Sequence, residues 1–260
     1  MKSILFSAEA GAGFDARLET ALNLARATSG HVTALVNMAM TANIVMDPLG
    51  SSYVVSEVID RARDERDTQA KAVETRLARE DVAYDVVCTE GDLVTSLADA
   101  ARFADVVVVS GGSEIAGDLA LTARTPVLMI ADDAPLSFPL AKACIGWDGG
   151  EEAAFALRCA LPILTLCDSV EMVTITEKTG GFPATDALRY LSRHGIHAEL
   201  EELARRGSTE ETLEVAVAKS GAQLLVMGAY GKSRMREFLF GGVTAYFLGK
   251  EGDLALLMAH

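Results

Sequence analysis

Glycines recur in the last quarter of the chain at a spacing that could hold a phosphate. A strand-like apolar run at 224–227 leads into Gly228, and nine residues separate Gly231 from a glycine pair that opens a predicted helix at 243–248. Glycine lets a backbone turn sharply and approach a ligand, and the free N–H groups at a helix start favour an anion. The pattern predicts a phosphate site made by Gly228, Gly231, Gly241, Gly242, Val243 and Thr244.

Cationic side chains stand between the two glycine groups. Lys232, Arg234 and Arg236 alternate along the chain, and Ser233 lies between the first two. Positive charge with hydrogen-bond donors suits a polyphosphate, so Lys232 and Ser233 join the predicted site. A solvated loop that binds nothing explains the same residues equally well, and the sequence leaves both interpretations open.

The overall charge argues against two classes of partner. The 260 residues include 23 Lys and Arg against 37 Asp and Glu, which gives a net charge of −14 at pH 7. An acidic surface repels nucleic acid and anionic lipid, so we expect no nucleic-acid partner and no membrane partner. No apolar run approaches the roughly 18 residues of a membrane-spanning helix, and the N-terminus does not resemble a signal peptide. We expect a soluble, cytoplasmic protein.

The cysteines and histidines do not suggest a metal site. The four cysteines, Cys88, Cys144, Cys159 and Cys167, form no C-x-x-C pair, and the four histidines are scattered along the chain. The strand-like surroundings of Cys88 and Cys144 predict buried free thiols, which are typical of a reducing compartment. We therefore predict no set of metal ligands.

Hydrophobic periodicity predicts an α/β pattern that occurs twice along the chain. In the first copy the predicted strands lie at 3–6, 31–36, 83–88, 105–109 and 126–130, and the helices at 15–29, 53–80 and 93–102. After a proline-containing linker at 132–141, strands recur at 142–147, 170–176, 197–203, 222–227 and 254–258, with helices at 151–166, 184–194, 209–220 and 243–248. Continuous apolar runs such as 105–109 are typical of parallel strands buried on both faces.

The repeat predicts two tandem doubly wound domains, at 1–134 and 140–260, each a five-stranded, mainly parallel sheet flanked by helices. Aligning Lys2 with Lys142 places Ala8 of the first copy opposite Asp148 of the second. The element order in the first copy is β-α-β-α-β-α-β-β, with no helix placed between its last two strands. In the second copy, Pro162 is expected to kink or restart its helix.

The second copy resembles a universal stress protein domain, and the whole chain resembles a tandem universal stress protein. The nucleotide motif of that family, G-x2-G-x9-G-[S/T], matches Gly228, Gly231 and Gly241. Gly242 departs from the motif because the family has a hydroxyl side chain there, and Thr244 follows two residues later. The resemblance implies the Rossmann-like fold of the adenine-nucleotide α-hydrolase-like domains.

The resemblance also implies an adenine-nucleotide site in the second copy. The family places an Asp at the end of the first strand, beside the nucleoside, and Asp148 matches it. Stabilisation of the turn before the helix explains this Asp as well, and the sequence leaves both roles open. Trp147 precedes this Asp, and it either packs in the core or borders the nucleoside. Adenine is expected near Ile175 and Thr176, with ATP, ADP or AMP as ligand, alone or with Mg²⁺. The missing hydroxyl at Gly242 removes one phosphate contact, which favours AMP or ADP over ATP.

The first copy lacks the features of the motif. Ala8 replaces the strand-end Asp in the alignment, and the glycine spacing is missing from 110–118. Glu114 and Asp118 occupy the stretch where a phosphate would need donors. We therefore expect one nucleotide per chain, bound by the second copy.

Three classes of function follow from these patterns. No G-x-S-x-G, H-E-x-x-H or P-loop lysine motif is present, so no catalytic residue is predicted. The main hypothesis is a nucleotide-binding module in a stress response or in signalling. The alternative is a structural or interaction protein in which both sites are degenerate. The third is an enzyme of the wider class of adenine-nucleotide α/β hydrolases, which would need a catalytic residue that the sequence does not identify. Slow ATP hydrolysis or autophosphorylation also stays open under the resemblance.

The resemblance suggests how the copies assemble. Single-domain members of the family pair their fifth strands edge to edge, and the strands at 126–130 and 254–258 can make that contact within one chain. Both are apolar, and proteins avoid leaving such edges open. We expect an intramolecular pseudo-dimer, and the pairing of two chains into a homodimer stays open.

Overall fold

In the described part of the chain, ten strands form one sheet. The computed structural model describes residues 1–38, 52–110, 114–176, 181–230, 242–250 and 252–260, and for 52–58, 114 and 176 it describes the backbone only. The strands are β1 (Ser3–Ser7), β2 (His31–Met38), β3 (Ala83–Glu90), β4 (Val106–Ser110), β5 (Val127–Ile130), β6 (Leu140–Trp147), β7 (Cys167–Thr176), β8 (Ala198–Ala204), β9 (Leu224–Gly228) and β10 (Ala255–Ala259). The α-helices are α1 (Phe14–Thr28), α2 (Ser52–Leu77), α3 (Leu93–Ala100), α4 (Glu114–Thr122), α5 (Glu151–Leu164), α6 (Ala184–Arg193), α7 (Thr209–Ser220) and α8 (Gly242–Leu248).

The strand order is β3-β2-β1-β4-β5-β10-β9-β6-β7-β8. Each half therefore repeats one arrangement, and all its neighbouring strands run parallel. In each half the chain order reverses beside the first strand, between β1 and β4 or between β6 and β9. This arrangement confirms the predicted fold class, and it creates a topological switch point in each half.

The two halves meet through β5 and β10, which pair antiparallel. Leu128 lies opposite Leu257, and on either side of this pair Val127 faces Met258 and Met129 faces Leu256. All six side chains are almost completely buried, so the junction is part of the core. On one side of the sheet α4 and α8 pack against each other across the junction.

Helices cover both faces of the sheet, because successive strand residues point to opposite sides. Leu18 of α1, Val73 of α2, Leu157 of α5 and Leu191 of α6 belong to the core on the first face. The second face packs against α3, α4, α7 and α8, represented by Leu97, Leu119, Leu213 and Phe247. Each half is thus a doubly wound layer, and each switch point lies between helices of both faces.

The structure corrects two of the predicted helices. The first copy does have a helix before its fifth strand, since Ala116, Leu119 and Ala120 of α4 are buried at helical spacing. The sequence prediction missed it because Gly117 interrupts a short segment. In the second half, α5 runs unbroken through Pro162, which lies in the final turn. A proline there removes one hydrogen bond near the helix end without displacing the turns that precede it.

Cys88 is exposed, which contradicts the prediction that it is buried. It lies on β3, which is an edge strand of the sheet and is exposed along much of its length. The prediction for Cys144 is confirmed, because it lies buried on the central strand β6. Burial raises the pKa of the Cys144 thiol to about 12. All four cysteines are free thiols.

The predicted linker packs on the first half. Leu136 is buried, its N–H donates to the Thr20 hydroxyl at 2.9 Å, and its carbonyl accepts from the Asn23 side chain at 3.0 Å. Both partners lie on α1, and β6 already begins at Leu140. The connection between the halves is therefore anchored at its midpoint to the first half.

The described part of the chain contains neither a membrane-spanning helix nor a cluster of metal ligands. None of the helices there is both long enough and apolar enough to cross a membrane. In the same ranges, no three or more His, Cys, Asp or Glu side chains come together as metal ligands would.

Candidate functional site

A crevice opens at the switch point of the second half, between the carboxyl ends of β6, β7 and β9. It encloses about 200 Å³ and lies between the first turns of α5, α7 and α8. Ligands of doubly wound sheets bind at such a point, because the neighbouring helices lie on opposite faces there and leave a gap. This crevice is the candidate site.

The crevice gathers many of the residues predicted from the sequence. Those lining it are Trp147, Asp148, Ile175, Gly228, Gly242, Val243 and Thr244. The backbone of Thr176 ends β7 beside Ile175, and its side chain lies outside the described residues. The predictions for Gly231, Lys232, Ser233 and Gly241, and for the neighbouring Arg234 and Arg236, also lie outside them.

The sequence analysis missed the remaining lining residues. These are Gly146, Glu152, Ala153, Val173, Thr209, Leu213, Met227 and Tyr230. Val173 alternates with Ile175 along β7, and Thr209 and Leu213 stand four apart on α7. Such spacing is also what ordinary core residues show, so it marks a shared face but not a cavity. For these residues the sequence carried no signal beyond their nearness to predicted ones such as Asp148 and Gly228.

Trp147 combines the two roles that the sequence left open. Its side chain is 6% exposed, packs in the core of the first face and also lines the crevice. The indole Nε1–H donates to the carbonyl of Phe182 at 3.0 Å. The Phe182 N–H in turn donates to the carbonyl of Gly149 at 2.9 Å. The indole is therefore fixed by the segments that follow β6 and precede α6.

Asp148 is exposed, and its carboxylate stabilises the turn that begins α5. Its Oδ1 accepts the N–H of Gly150 at 2.7 Å. A β-carbon placed on Gly150 would lie 2.9 Å from Asp148 Oδ1 and 3.3 Å from Glu152 Oε2. The two carboxylates thus converge at the N-terminus of α5, where the helix dipole favours negative charge.

Gly228 is required by packing against a helix. A β-carbon at this position would lie 2.6 Å from the backbone nitrogen of Ala153 and 2.7 Å from the carbonyl carbon of Glu152. Those atoms belong to the first turn of α5, so the end of β9 touches the helix directly. The glycine that begins the predicted phosphate motif therefore has a structural reason that needs no ligand.

The Thr244 hydroxyl closes the turn after β9. It accepts the N–H of Tyr230 at 3.3 Å, and Tyr230 adopts a left-handed backbone with φ of 57°. Burial raises the pKa of Tyr230 to about 12, and Asp118 on α4 of the first half adds to the shift. The bond positions the hydroxyl as an acceptor and leaves its proton available to donate, and the crevice borders the junction between the halves.

A carboxylate faces the start of α8. A β-carbon on Gly242 would lie 3.8 Å from Oε1 of Glu210, which is on the first turn of α7. The N–H groups at a helix start favour an anion, but here a negative side chain already stands beside them.

Strand pairing aligns the two halves and corrects the repeat read from the sequence. Leu128 pairs with Leu257 at the centre of the junction, so these residues are equivalent. Their parallel neighbours are Val108 and Val226, which lie beside Phe6 and Ile145. Phe6 is therefore equivalent to Ile145.

Counting onward from this pair, Ala8 is equivalent to Trp147 and Glu9 is equivalent to Asp148. The sequence alignment was wrong by one residue, because it matched Lys2 with Lys142. The first half has consequently kept an acidic residue at this strand end. Glu9 is half-buried, and burial raises the pKa of its carboxyl while the nearby Arg17 opposes that shift.

In the first half, side chains of the protein occupy the switch point. The guanidinium of Arg17, on α1, is 5% exposed. It donates to the carbonyls of Ser7 and Glu9 at 2.7 Å each, to the carbonyl of Ala12 at 3.3 Å, and to the hydroxyl of Ser110. Burial lowers the pKa of Arg17, and the charges of Glu9 and Asp132 oppose that shift. The space between β1 and β4 is thereby filled by one hydrogen-bonded cation.

In both halves the start of a helix closely approaches the end of a strand. The glycine that permits this contact lies on a different element in each half. A β-carbon on Gly13 would lie 2.9 Å from Cβ of Ser110, and a β-carbon on Gly228 would lie 2.9 Å from Cβ of Glu152. Ser110 and Gly228 are equivalent strand ends. In one half the helix side supplies the glycine, and in the other half the strand does.

The ends of β2 and β7 also differ in whether side chains close the space beside them. Asn37 is equivalent to Ile175, and its side chain bonds the carbonyl of Gly91 and the hydroxyls of Thr89 and Ser96. The first half thus closes this position with hydrogen bonds, whereas Ile175 presents an apolar wall to the crevice.

Comparison with solved structures identifies the fold. A universal stress protein from Archaeoglobus fulgidus DSM 4304 matches 99% of this chain and 95% of its own, with 14% identity and a TM-score of 0.73. A protein of unknown function from Pseudomonas aeruginosa PAO1 matches 99% and 92%, with 15% identity and a TM-score of 0.62. One from Pseudomonas aeruginosa UCBPP-PA14, provisionally named a universal stress protein, matches 99% and 92%, with 16% identity and a TM-score of 0.59.

These matches extend over the whole chain and not over one half alone. The chain therefore has the fold of the universal stress proteins in its full-length, two-copy form. No protein-family model matches the sequence. No curated protein matches it either.

Proposed function

We propose that this chain is a tandem universal stress protein whose second half binds one adenine nucleotide, and that it acts as a stress-response or signalling module. The observation that carries the proposal is the crevice at the switch point of the second half, lined by Asp148 and by the end of β7. This is the position where doubly wound sheets bind nucleotides. The equivalent space in the first half contains Arg17, which supports a single site per chain.

The size of the crevice suits the base of a nucleotide. A cavity of about 150 Å³ in another protein holds benzene, and this one measures about 200 Å³. Val173, Ile175 and Leu213 supply apolar walls on which an aromatic ring can pack. The ribose and any phosphate would extend beyond this volume, toward Asp148 and the start of α8.

The same proposal covers the organisation of the chain. We propose domains at 1–134 and 140–260 that form a pseudo-dimer through β5 and β10, whose pairing buries both strands. The four free thiols support a reducing, cytoplasmic environment. The described residues lining the crevice include no histidine or cysteine beside a hydroxyl nucleophile, so the proposal is binding without catalysis.

A fluorescence titration tests the proposal, because the chain has a single tryptophan and it lines the crevice. Adenosine, AMP, ADP and ATP, with and without Mg²⁺, should each be titrated while Trp147 emission is recorded, and calorimetry should give the stoichiometry. We expect saturable binding of at least one adenine ligand, at one per chain. If none binds at millimolar concentration and none co-purifies, the chain is an interaction protein with two degenerate sites.

A pair of variants locates the ligand. Val243→Phe adds an aromatic ring at the half-buried edge of the crevice and should weaken binding. Val215→Phe makes the same change on the outer face of α7, where the side chain is 67% exposed, and should leave binding unaltered. Equal effects of the two variants would place the ligand somewhere else.

A further inference from the structure

The charged side chains described around the crevice are acidic. Asp148 and Glu152 line it, and a carboxylate oxygen of Glu210 would lie 3.8 Å from a β-carbon on Gly242, which is one of the lining residues. The first two carboxylates approach the same point above Gly150, at 2.9 Å and 3.3 Å. No lysine or arginine is found among the lining residues that the structure describes.

At both helix starts that face the crevice, side chains of the protein already make contacts. The N-terminus of α5 holds the two carboxylates, and Asp148 Oδ1 uses the N–H of Gly150. At the start of α8 the Thr244 hydroxyl is engaged by the N–H of Tyr230, and the helix has only seven residues. A phosphate entering here would have to displace an internal anion or lie against one.

We propose that the crevice selects its ligand by charge, and that it prefers adenosine or AMP to ATP because Asp148, Glu152 and Glu210 repel additional phosphates. The ligand class is a purine nucleoside with at most one phosphate. The apolar walls hold the base, and the carboxylates accept hydrogen bonds from ribose hydroxyls. This inference rests on the proposed function, since it concerns the same site.

The test is a comparison of affinities without divalent metal. Trp147 emission should be titrated with adenosine, AMP and ATP in the presence of EDTA, at low and at high salt. We expect adenosine to bind at least about tenfold more tightly than ATP at low salt, with AMP between them. High salt should reduce the difference in affinity between adenosine and ATP, because it screens the repulsion between the carboxylates and the phosphates.

Charge variants assign the cause. Glu210→Gln and Glu152→Gln should each reduce the ratio of the ATP dissociation constant to that of adenosine by roughly threefold. Glu199→Gln makes the same change in net charge on an exposed position of β8 and should leave the ratio as it was. Circular dichroism confirms that each variant is folded.

The outcomes separate the two proposals. If ATP binds as tightly as adenosine, or if the ratio ignores both crevice variants, charge selection is wrong while nucleotide binding stands. If no adenine compound binds, the proposed function fails and this inference fails with it. A ratio that falls in Glu210→Gln and Glu152→Gln, and not in Glu199→Gln, supports the inference.

Discussion

The two switch points of this molecule lie between equivalent strands, but side chains of the protein occupy one of them and the other opens as a crevice. In the first half Arg17, Ser110 and Asn37 fill the space with hydrogen bonds. In the second half Gly228 and Ile175 take the equivalent places of the last two, and a crevice remains. Backbone geometry therefore does not decide whether a doubly wound sheet has a site. A few side chains at the strand ends decide it.

Replacing the buried Arg17 of the first half should have the largest effect on stability. Arg17→Met leaves the carbonyls of Ser7 and Glu9 buried without their donor, so we expect a loss of about 3–4 kcal/mol in the free energy of unfolding. Urea denaturation measures it. Arg158→Met, on the exposed side of α5, should lose less than about 0.5 kcal/mol. Similar losses for the two would show that Arg17 is not a structural element of the first half.

The exchanged glycines make a second test. Gly228→Ser places a β-carbon against the first turn of α5, and we expect a loss of about 2–3 kcal/mol by thermal or urea unfolding. Adding Glu152→Gly removes only the contact with Cβ of Glu152, while the closer backbone atoms of Glu152 and Ala153 remain, so the losses of the two substitutions should be nearly additive. Gly146→Ala serves as the control, since its new β-carbon would meet Leu213 at an ordinary 3.5 Å. A double variant that recovers most of the stability lost in Gly228→Ser would show that the side chain of Glu152, and not the backbone of α5, requires the glycine.

Replacing Ile175 by the Asn of the first half tests whether the apolar wall of the crevice contributes to ligand binding. Ile175→Asn gives the crevice the side chain that closes the first half, and it should weaken adenosine binding about tenfold through lost apolar contact. The Trp147 titration measures this change. The reciprocal Asn37→Ile should not create a second site, because Arg17 remains in place. A second binding event in that variant would overturn the role given to Arg17.

The smallest expected effect is that of replacing a thiol, which changes the labelling of the cysteines. Cys88 in the first half is exposed, whereas burial raises the pKa of Cys144 to about 12 and that of Cys167 to about 11. Burial also raises the pKa of Cys159. Because only thiolates react quickly, a disulfide reagent at mildly alkaline pH should label one cysteine rapidly. Cys88→Ser should abolish that phase, and any fast thiol that remains in the variant would contradict the burial described for the second half.

Much of the fold was predictable because it rests on patterns that repeat. Buried strands such as 105–109 and the α7 segment at 209–220 were placed within two residues of their observed bounds. The alignment of the halves slipped because similar residues, Lys2 and Lys142, outweighed the strand register. One residue is enough to exchange the two faces of a strand, so Glu9 escaped notice.

The candidate site was predictable only in part. Asp148 and the residues from Gly242 to Thr244 stood out by type and spacing. Val173 and Leu213 did not, because a wall residue and a core residue share one pattern until the neighbouring helices are placed. The role of Gly228 was also hidden, since contact with a helix that begins some 75 residues earlier leaves no local trace in the sequence.

The junction of β5 with β10 has a consequence for how such a protein can diverge. In a dimer of identical chains, symmetry imposes every substitution on both copies, so a cation that fills one switch point would fill the other. Within a single chain the two copies stay at a fixed and high effective concentration, whatever the dilution. One copy can then specialise in holding the sheet together while the other stays open to a ligand.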